Sequence, residues 1–370
     1  MDTKFKRKLF FTRQSYFKLG NQANSTQRVL LEADFTIEEI EGAMMDIASG
    51  KAPGPDGFAI ELYRKYKDIL APLLLEMFQV LGNTLVILAF IIDKRLRNQS
   101  NFFLLNLAIC DFFIGAFCIP VSASYILTDK WTLGNVLCKV WLVADNLMCT
   151  ASVFNIVLIS YDRFLSITMA VVYRSQQRNH SQTAVKMAAV WVLSFLLYSP
   201  AIILWEYVNG DPLIPVGLCV AGYYYSWHFL LGASTFDFFL PLICITFFNL
   251  SIYWNIKKRS RKIHQVVKPS NTHPPDQKSR TQAMKLSRDK KVARSLTVLV
   301  CVFGICWAPY TLLQTIRAAC HDDCVESYWN QVTSWMLWIN SSVNPIIYPL
   351  CHKTFRDALV KMFHKCKVSL

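Results

Sequence analysis

From residue 69 onward the apolar positions of this chain gather into seven blocks, at about 69–92, 101–127, 138–167, 184–205, 226–256, 292–316 and 327–350. Each is close to the roughly 20 residues that a helix needs to cross a bilayer. In lipid, backbone polar groups must be satisfied within the segment, so runs of this length read as helices. The pattern predicts an all-α membrane protein: a seven-transmembrane-helix bundle. A further stretch, 352–366, spaces Phe355, Leu359, Met362 and Phe363 as one face of a helix, which predicts a short amphipathic eighth helix on the membrane surface. No repeat pairs the blocks into halves, so the inverted-repeat architecture of many transporters is not expected. Residues 1–30 lack an apolar core, and no cleavable signal peptide is expected.

Composition fits this pattern. Of 370 residues, 53% are hydrophobic and 17% charged, against roughly 25% charged in soluble domains. With Gly 13 and Pro 14, collagen and disorder are excluded. The net charge of +14 alone would suit nucleic acid, an anionic membrane or a topology signal. Its placement decides. The connecting segments 93–97, 168–183 and 257–291 and the tail 351–370 carry +2, +2, +10 and +4, while the intervening connections are neutral or acidic. By the positive-inside rule the basic segments are cytoplasmic, which puts the N-terminus outside and the C-terminus inside a plasma-membrane protein. No nucleic-acid partner is expected.

The cysteines agree with that orientation. Cys138, at the outer end of span three, and Cys219, in the second outer loop, share the oxidising face and can pair. Cys320 and Cys324 bracket His321-Asp322-Asp323, where a zinc site competes with a short-loop disulfide, and the extracellular setting favours the disulfide. Cys366, after the tail helix, is a palmitoylation candidate, with Cys351 as a competitor.

A charge inside a span is costly and marks a candidate functional position. Asp111, Asp145 and Asp237 lie within spans two, three and five. Asp145 is seven residues past Cys138, two turns or roughly 10 Å below the outer end. Its carboxylate reads as the counter-ion of a cationic ligand. Trp307, Tyr310, Trp335 and Trp338 from spans six and seven can complete an aromatic box around an ammonium group. Aromatic residues at this spacing are more often core, and they gain weight here from the acid on which they converge. Arg163 lies 18 residues beyond Asp145, on the same face and roughly 27 Å away. Asp162 and Asp289 both offer it a carboxylate, and a pairing that breaks would serve as a switch.

Seven short motifs, one per span, now carry a resemblance. They are Gly82-Asn83; Leu107-Ala108-Ile109-Cys110-Asp111; Asp162-Arg163-Phe164; Trp191; Pro241; Cys306-Trp307-Ala308-Pro309; and Asn344-Pro345-Ile346-Ile347-Tyr348. In this order they resemble rhodopsin-class G-protein-coupled receptors, over about residues 82–367. Asp145 marks the amine-binding branch. Residues 154–166, 286–299 and 307–313 are similar to histamine receptors of subtypes three and four, and the Cys320–Cys324 loop with Trp338 is nearer subtype three. The resemblance implies that Asp145 meets the ligand ammonium, with Asn146, Cys149, Trp307, Tyr310, Trp335 and Trp338 around it and Asp237 on the imidazole side. It implies an inner sodium pocket of Asp111, Ser152, Asn340, Ser341 and Asn344, and activation switches at Asp162, Arg163, Asp289, Pro309, Pro345 and Tyr348. It also implies coupling to inhibitory G proteins, no enzymatic activity, and no cofactor beyond an allosteric sodium ion.

Two departures bear on the ligand. Asn146 stands where these receptors usually carry Tyr, and Asp237 stands where they use Glu, a carboxylate shorter by one C–C bond of about 1.5 Å. Histamine is the expected amine, with a different amine as the alternative. An opsin is disfavoured because 327–350 contains no lysine for a retinal Schiff base.

Residues 1–80 do not belong to that pattern. The stretch 36–78, with its turn cluster Gly50-Lys51-Ala52-Pro53-Gly54-Pro55-Asp56-Gly57-Phe58, resembles a fragment of a LINE-type retrotransposon reverse transcriptase. That fragment lacks the polymerase's metal-binding aspartates. The join falls near 79–81, where foreign residues complete the outer half of span one and bring Pro72 and Glu76 with them. The basic cluster at Lys4–Lys8 would have to be translocated, and Asn24-Ser25-Thr26 forms a glycosylation sequon. Three segments are therefore expected: 1–80, a chimeric N-terminal segment; 81–351, the seven-span region; and 352–370, the amphipathic helix and tail. A poorly inserted, non-signalling chimera is the other reading.

Overall fold

A computed structural model describes residues 67–128, 130–171, 173, 180–210, 217–224, 226–266, 277–320, 324–351 and 353–368. The retrotransposon-like residues up to 66, the cluster at Lys4–Lys8, the sequon at Asn24 and the side chains of Tyr348, Phe363 and Cys366 lie outside the described residues. The chain divides into two compact units, Met1–Phe78 and Gln79–Leu370. The described part of the first is a stretch of helix α1 (Lys67–Ile92).

The second unit is a bundle of seven long helical spans followed by a surface helix. Span one is the remainder of α1. Span two consists of α2 (Gln99–Phe113), a π-helical turn (Ile114–Cys118) and α3 (Ile119–Thr128). Spans three and four are α4 (Gly134–Thr168) and α5 (His180–Asn209). Span five runs through α6 (Trp227–Ser234), a π-helical turn (Thr235–Phe239) and α7 (Leu240–Val266). Spans six and seven are α8 (Gln277–Ala319) and α9 (Ser327–Cys351), and α10 (Lys353–Val368) follows.

Among the described residues, spans two to six are long and apolar enough to cross a bilayer on composition alone. The other two differ from the expected uniform blocks. The apolar part of span one is shorter, Glu76–Ile92. Span seven falls below because Asn330, Ser334, Asn340, Ser341, Ser342 and Asn344 punctuate it. Of these, Asn340, Ser341 and Asn344 are buried, and Asn330, Ser334 and Ser342 are partly so. A helix whose polar face is sheltered by the bundle does not need an apolar surface all round.

Span three is the hub, packed against spans two, four and five. Its inner half is tied to both sides by amides. The Asn106 side chain donates to Asn155 Oδ1 at 2.9 Å, and the Trp191 indole donates to Asn106 Oδ1 at 2.9 Å. Buried amides joined in this way fix the rotation of three helices, since each broken bond would strand a polar group. Phe103, Leu107, Ile156, Ile245 and Phe303 fill the core around them. Spans one and seven approach closely at Gly82, where a Cβ would lie 2.9 Å from Pro345 Cγ. In α10, Phe355 and Ala358 are buried and Leu359 and Met362 pack on the core, while Arg356 and Asp357 are exposed.

The inner turn after span one is held electrostatically. Asp93 caps the short helix Lys94–Leu96 by accepting from the Arg95 backbone N–H at 3.0 Å and from both arms of the Arg95 guanidinium. That fork holds the Asp93 carboxyl down to about 2. At the opposite end of the bundle, Cys138–Cys219 and Cys320–Cys324 are both disulfides. The first pins the second outer loop over the mouth of the bundle.

Candidate functional site

The outer half of the bundle holds two carboxylates that the protein leaves incompletely matched. Asp145 projects from α4. Its Oδ1 accepts from the Trp338 indole of span seven at 3.4 Å, and the Cys149 thiol lies one turn below at 4.0 Å. Cys118, at the end of the π turn in span two, is a further hydrogen-bond partner. No Lys, Arg or His among the described residues forms an ion pair with Asp145. Trp335 stacks edge-on to Trp338, ring centroids 5.2 Å apart. Tyr310 of span six and Tyr223 of the second outer loop lie within electrostatic reach of both Asp145 and Asp237. Asn146 turns away, its amide donating to the Leu142 carbonyl at 2.8 Å.

Asp237 lies in the π turn of span five, buried to 7% exposure. A π turn inserts one residue into the helical register and re-aims the side chains on it, and such turns are frequent at functional positions. Its Oδ2 accepts from the Tyr198 hydroxyl at 2.5 Å, whereas Oδ1 is buried and without a partner. Trp307 Nε1 is a second buried orphan, on a ring packed at a tilt against Phe303 and, through it, Phe238. A buried polar atom left unmade costs about 1–3 kcal/mol. Open acceptors at Asp145 and Asp237 and an open donor at Trp307 suit a small ligand carrying a cation and N–H groups.

The inner pocket is built in the opposite way. Asp111 is fully buried, and its oxygens accept from Ser152 Oγ at 3.0 Å and Asn344 Nδ2 at 2.7 Å, with the Ser341 hydroxyl as a third donor. Asn340 is buried beside these residues in span seven. Gln79 bridges three spans: its amide donates to the Asp111 carbonyl at 3.1 Å, and its oxygen accepts from Ser342 at 3.2 Å. Asn83 reaches the Gln79 and Ser341 carbonyls.

At the end of span three away from the disulfide, Asp162 is again well supplied with neutral donors, with the Arg163 charge as a further favourable neighbour. Gln99 donates at 3.1 Å, Ser100 makes a close hydrogen bond, and the Tyr173 hydroxyl donates at 3.4 Å. The expected pairing of Arg163 with Asp289 is not formed. Asp289 instead pairs with Arg259 of span five at 3.6 Å, and Arg259 also donates to the Ile167 carbonyl at the end of span three. Arg259, half-exposed at the end of α7, reaches both the Ile167 carbonyl of span three and Asp289 of span six, so it takes the carboxylate that linear spacing assigned to Arg163. Pro309 and Pro345 lie inside α8 and α9. The sequence reading missed Tyr198, Tyr223, Cys118, Gln79, Gln99, Ser100 and Tyr173. Only Tyr173 and Gln79, as polar side chains beside an otherwise apolar run, gave any local signal.

Seven spans around an outer carboxylate within the bundle, with an inner polar pocket and two disulfides at the mouth, define a membrane receptor of the helical-bundle class. Residues 82–348 match the family described as 7 transmembrane receptor (rhodopsin family), and the chain belongs to that family. Its relatives include the human histamine H4 receptor, 35% identical over 77% of this chain and 88% of that protein. The Mus musculus histamine H4 receptor is 33% identical over 76% and 88%. The Sus scrofa muscarinic acetylcholine receptor M1 is 24% identical over 77% and 86%. The family is one of receptors rather than enzymes.

Proposed function

We propose that this chain is a receptor for a small cationic amine, histamine by preference, that signals from the plasma membrane through inhibitory G proteins and lowers cAMP. The observation that carries the reading is Asp145, a carboxylate inside a span that meets an indole and thiols but no protein cation. At about 4 Å and an effective dielectric near 20, an ammonium there gains about 4 kcal/mol. Trp338, Trp335 and Tyr310 add ring faces to the same cation. Both histamine and muscarinic relatives are named for small cationic ligands, which supports the amine class more firmly than the particular amine. For histamine, the open Oδ1 of Asp237 would take an imidazole N–H. The Cys320–Cys324 loop and Trp338 carry the nearness to subtype three.

Signalling is a population shift: the amine must bind the active arrangement more tightly than the resting one. Closure of spans five, six and seven on Asp145 would draw on the hinges at Pro309 and Pro345, and would part the Arg259–Asp289 contact inside. The basic ends of the spans are placed in the cytoplasm, with the N-terminus outside. In the inner pocket, Asp111 with the hydroxyls of Ser152 and Ser341 supplies oxygen ligands of the kind a hard cation takes, and a sodium ion there would favour the resting state.

A panel of amines, read as inhibition of stimulated cAMP in cells expressing the full chain, tests the function. Histamine should act at lower concentration than acetylcholine or catecholamines. Asp237→Glu should lower the effective histamine concentration further, by reaching closer to the ligand. A panel in which another amine leads, with Asp237→Glu neutral, would assign a different ligand to the same pocket.

A further inference from the structure

Span five carries a second feature, on its outer surface. Phe236, Leu240, Ile243, Phe247, Leu250 and Trp254 recur every three or four residues and are all exposed on the bundle, 37% or more. This is the lipid-facing stripe of the helix. From Phe236 to Trp254 it spans roughly 27 Å at 1.5 Å per residue, nearly the full hydrocarbon thickness of about 30 Å. The same stripe then turns basic. Lys257, Lys258 and Arg261 continue its spacing, and with Trp254 and Asn255 they line a groove of about 470 Å³. By the helical rise these cations sit roughly 5–10 Å beyond Trp254, at headgroup depth.

The groove is built rather than merely charged. Lys257 Nζ is held over the rings of Tyr253 and Trp254, 5.6 and 5.4 Å from their centroids. Tyr253 and Trp254 are more than half exposed, as interfacial anchors are. Residues 238–275 contain no acid, and no ion pair of the groove's cations is formed among the described residues. The neighbouring basic residues behave differently. Arg259 is engaged on another face of the helix by Asp289 and the Ile167 carbonyl, and Lys290 bonds Ser260 at 3.3 Å. Two faces of one helix end thus use basic residues for two purposes.

We propose that the Trp254–Lys257–Lys258–Arg261 groove binds a polyphosphorylated inositol phospholipid. Its phosphates lie among the three cations, its glycerol lies at the Trp254 ring, and its acyl chains follow Leu250 and Phe247. Three convergent cations without a carboxylate match a headgroup of several charges better than the single net charge of phosphatidylserine. The inference uses the cytoplasmic orientation proposed above only to say which leaflet supplies the lipid.

The test reconstitutes the full chain in nanodiscs of phosphatidylcholine carrying either phosphatidylserine or a phosphatidylinositol bisphosphate, and reads retained lipid by mass spectrometry of the intact protein. Both leaflets carry the lipid, so the outcome is independent of orientation. The bisphosphate should be retained in preference to phosphatidylserine. Replacing all three cations (Lys257→Gln, Lys258→Gln, Arg261→Gln) should weaken retention by on the order of 10²-fold, from about 1 kcal/mol per basic residue at a membrane surface. Arg259→Gln should leave it unchanged. Lys257→Arg with Lys258→Arg should bind as the parent does, which separates lost charge from lost folding. Soluble inositol trisphosphate should compete weakly, because it lacks the acyl chains that follow the stripe. Equal retention of phosphatidylserine, equal loss on Arg259→Gln, failure of the arginine variant, or full competition by the soluble headgroup would each overturn the assignment.

Discussion

Four of the buried or part-buried aspartates in the spans, Asp111, Asp145, Asp162 and Asp237, separate into two kinds. Asp111 and Asp162, toward the inside, are 0% and 2% exposed, and each receives hydrogen bonds from neutral donors on neighbouring elements. Asp145 and Asp237, toward the outside, are matched only in part, by an indole, thiols and one phenol. An ion taken out of water costs several kcal/mol even after relaxation. For the inner pair the protein supplies the compensation. For the outer pair it leaves a valence open. Residue type is identical in all four, so the distinction between a structural acid and a ligand-binding acid lies in where polar satisfaction stops.

The sharpest way to break that comparison is to neutralise one acid of each kind and read two quantities. Asp145→Asn keeps the shape and an acceptor for Trp338 but removes the charge. Amine affinity should fall by about 10³-fold, the 4 kcal/mol of an ammonium–carboxylate contact at an effective dielectric of 20. The thermal midpoint of the ligand-free protein should hold or rise, since an unmatched charge has gone. Asp111→Ala should do the reverse. It strands the Asn344 amide and the Ser152 and Ser341 hydroxyls, and should lower stability by about 2–4 kcal/mol. Equilibrium amine binding and thermal unfolding of the purified protein check both. If Asp145→Asn destabilised as Asp111→Ala does, the outer carboxylate would be structural and the distinction would fail.

A smaller effect sharpens the inner side. Gln79 is 1% exposed and links the Asp111 carbonyl to Ser342 across three spans. Gln79→Ala removes two buried hydrogen bonds and should cost about 2 kcal/mol, read as a lower thermal midpoint without a change in amine affinity. Gln79→Glu should be worse than Gln79→Ala, because its carboxylate has no N–H to offer the carbonyl. In sequence, Gln79 shows only as a polar side chain in an apolar run, near the expected join at 79–81. Its role depends on Gly115, where the small residue leaves room for the Gln79 and Val80 side chains: a Cβ there would lie 2.8 Å from Val80 Cγ2.

This contrast also explains what could be read from the chain alone. Asp111, Asp145 and Asp237 announce themselves, because a charge inside an apolar run is costly wherever the helix points. The spans announce themselves by length, although span seven, read as an apolar block, is interrupted by polar residues and falls below the others in apolarity. Tyr198, Cys118, Gln99 and Ser100 are ordinary residues in ordinary places. Their importance follows from helix rotation and from the two π turns, each of which shifts the register by one residue. Periodicity cannot show that shift in advance. The partner of Asp289 failed for a related reason: Arg163 and Arg259 are both basic residues near it, and only the packing of span five against spans three and six chooses Arg259.

The smallest expected effect lies at that pair. Arg259 and Asp289 are 3.6 Å apart, with side chains 46% and 20% exposed, so the contact is neither short nor dry. Pairs of this kind contribute about 0.2–1 kcal/mol. Asp289→Ala should therefore raise basal G-protein activation by no more than about fivefold, the population change that 1 kcal/mol permits. Arg259→Gln should do the same, and the double variant should add little, since both changes break one contact. Asp162→Asn probes the other closure at the same end. It leaves an acceptor for Ser100 and Tyr173, yet turns a charge-assisted set of hydrogen bonds into neutral ones of roughly half the strength. Nucleotide exchange on a reconstituted G protein, measured without ligand, orders the variants. A rise for Asp162→Asn well above that for Asp289→Ala would show that the resting state is held by the neutral-donor network around span three, with the ion pair between spans five and six a minor latch.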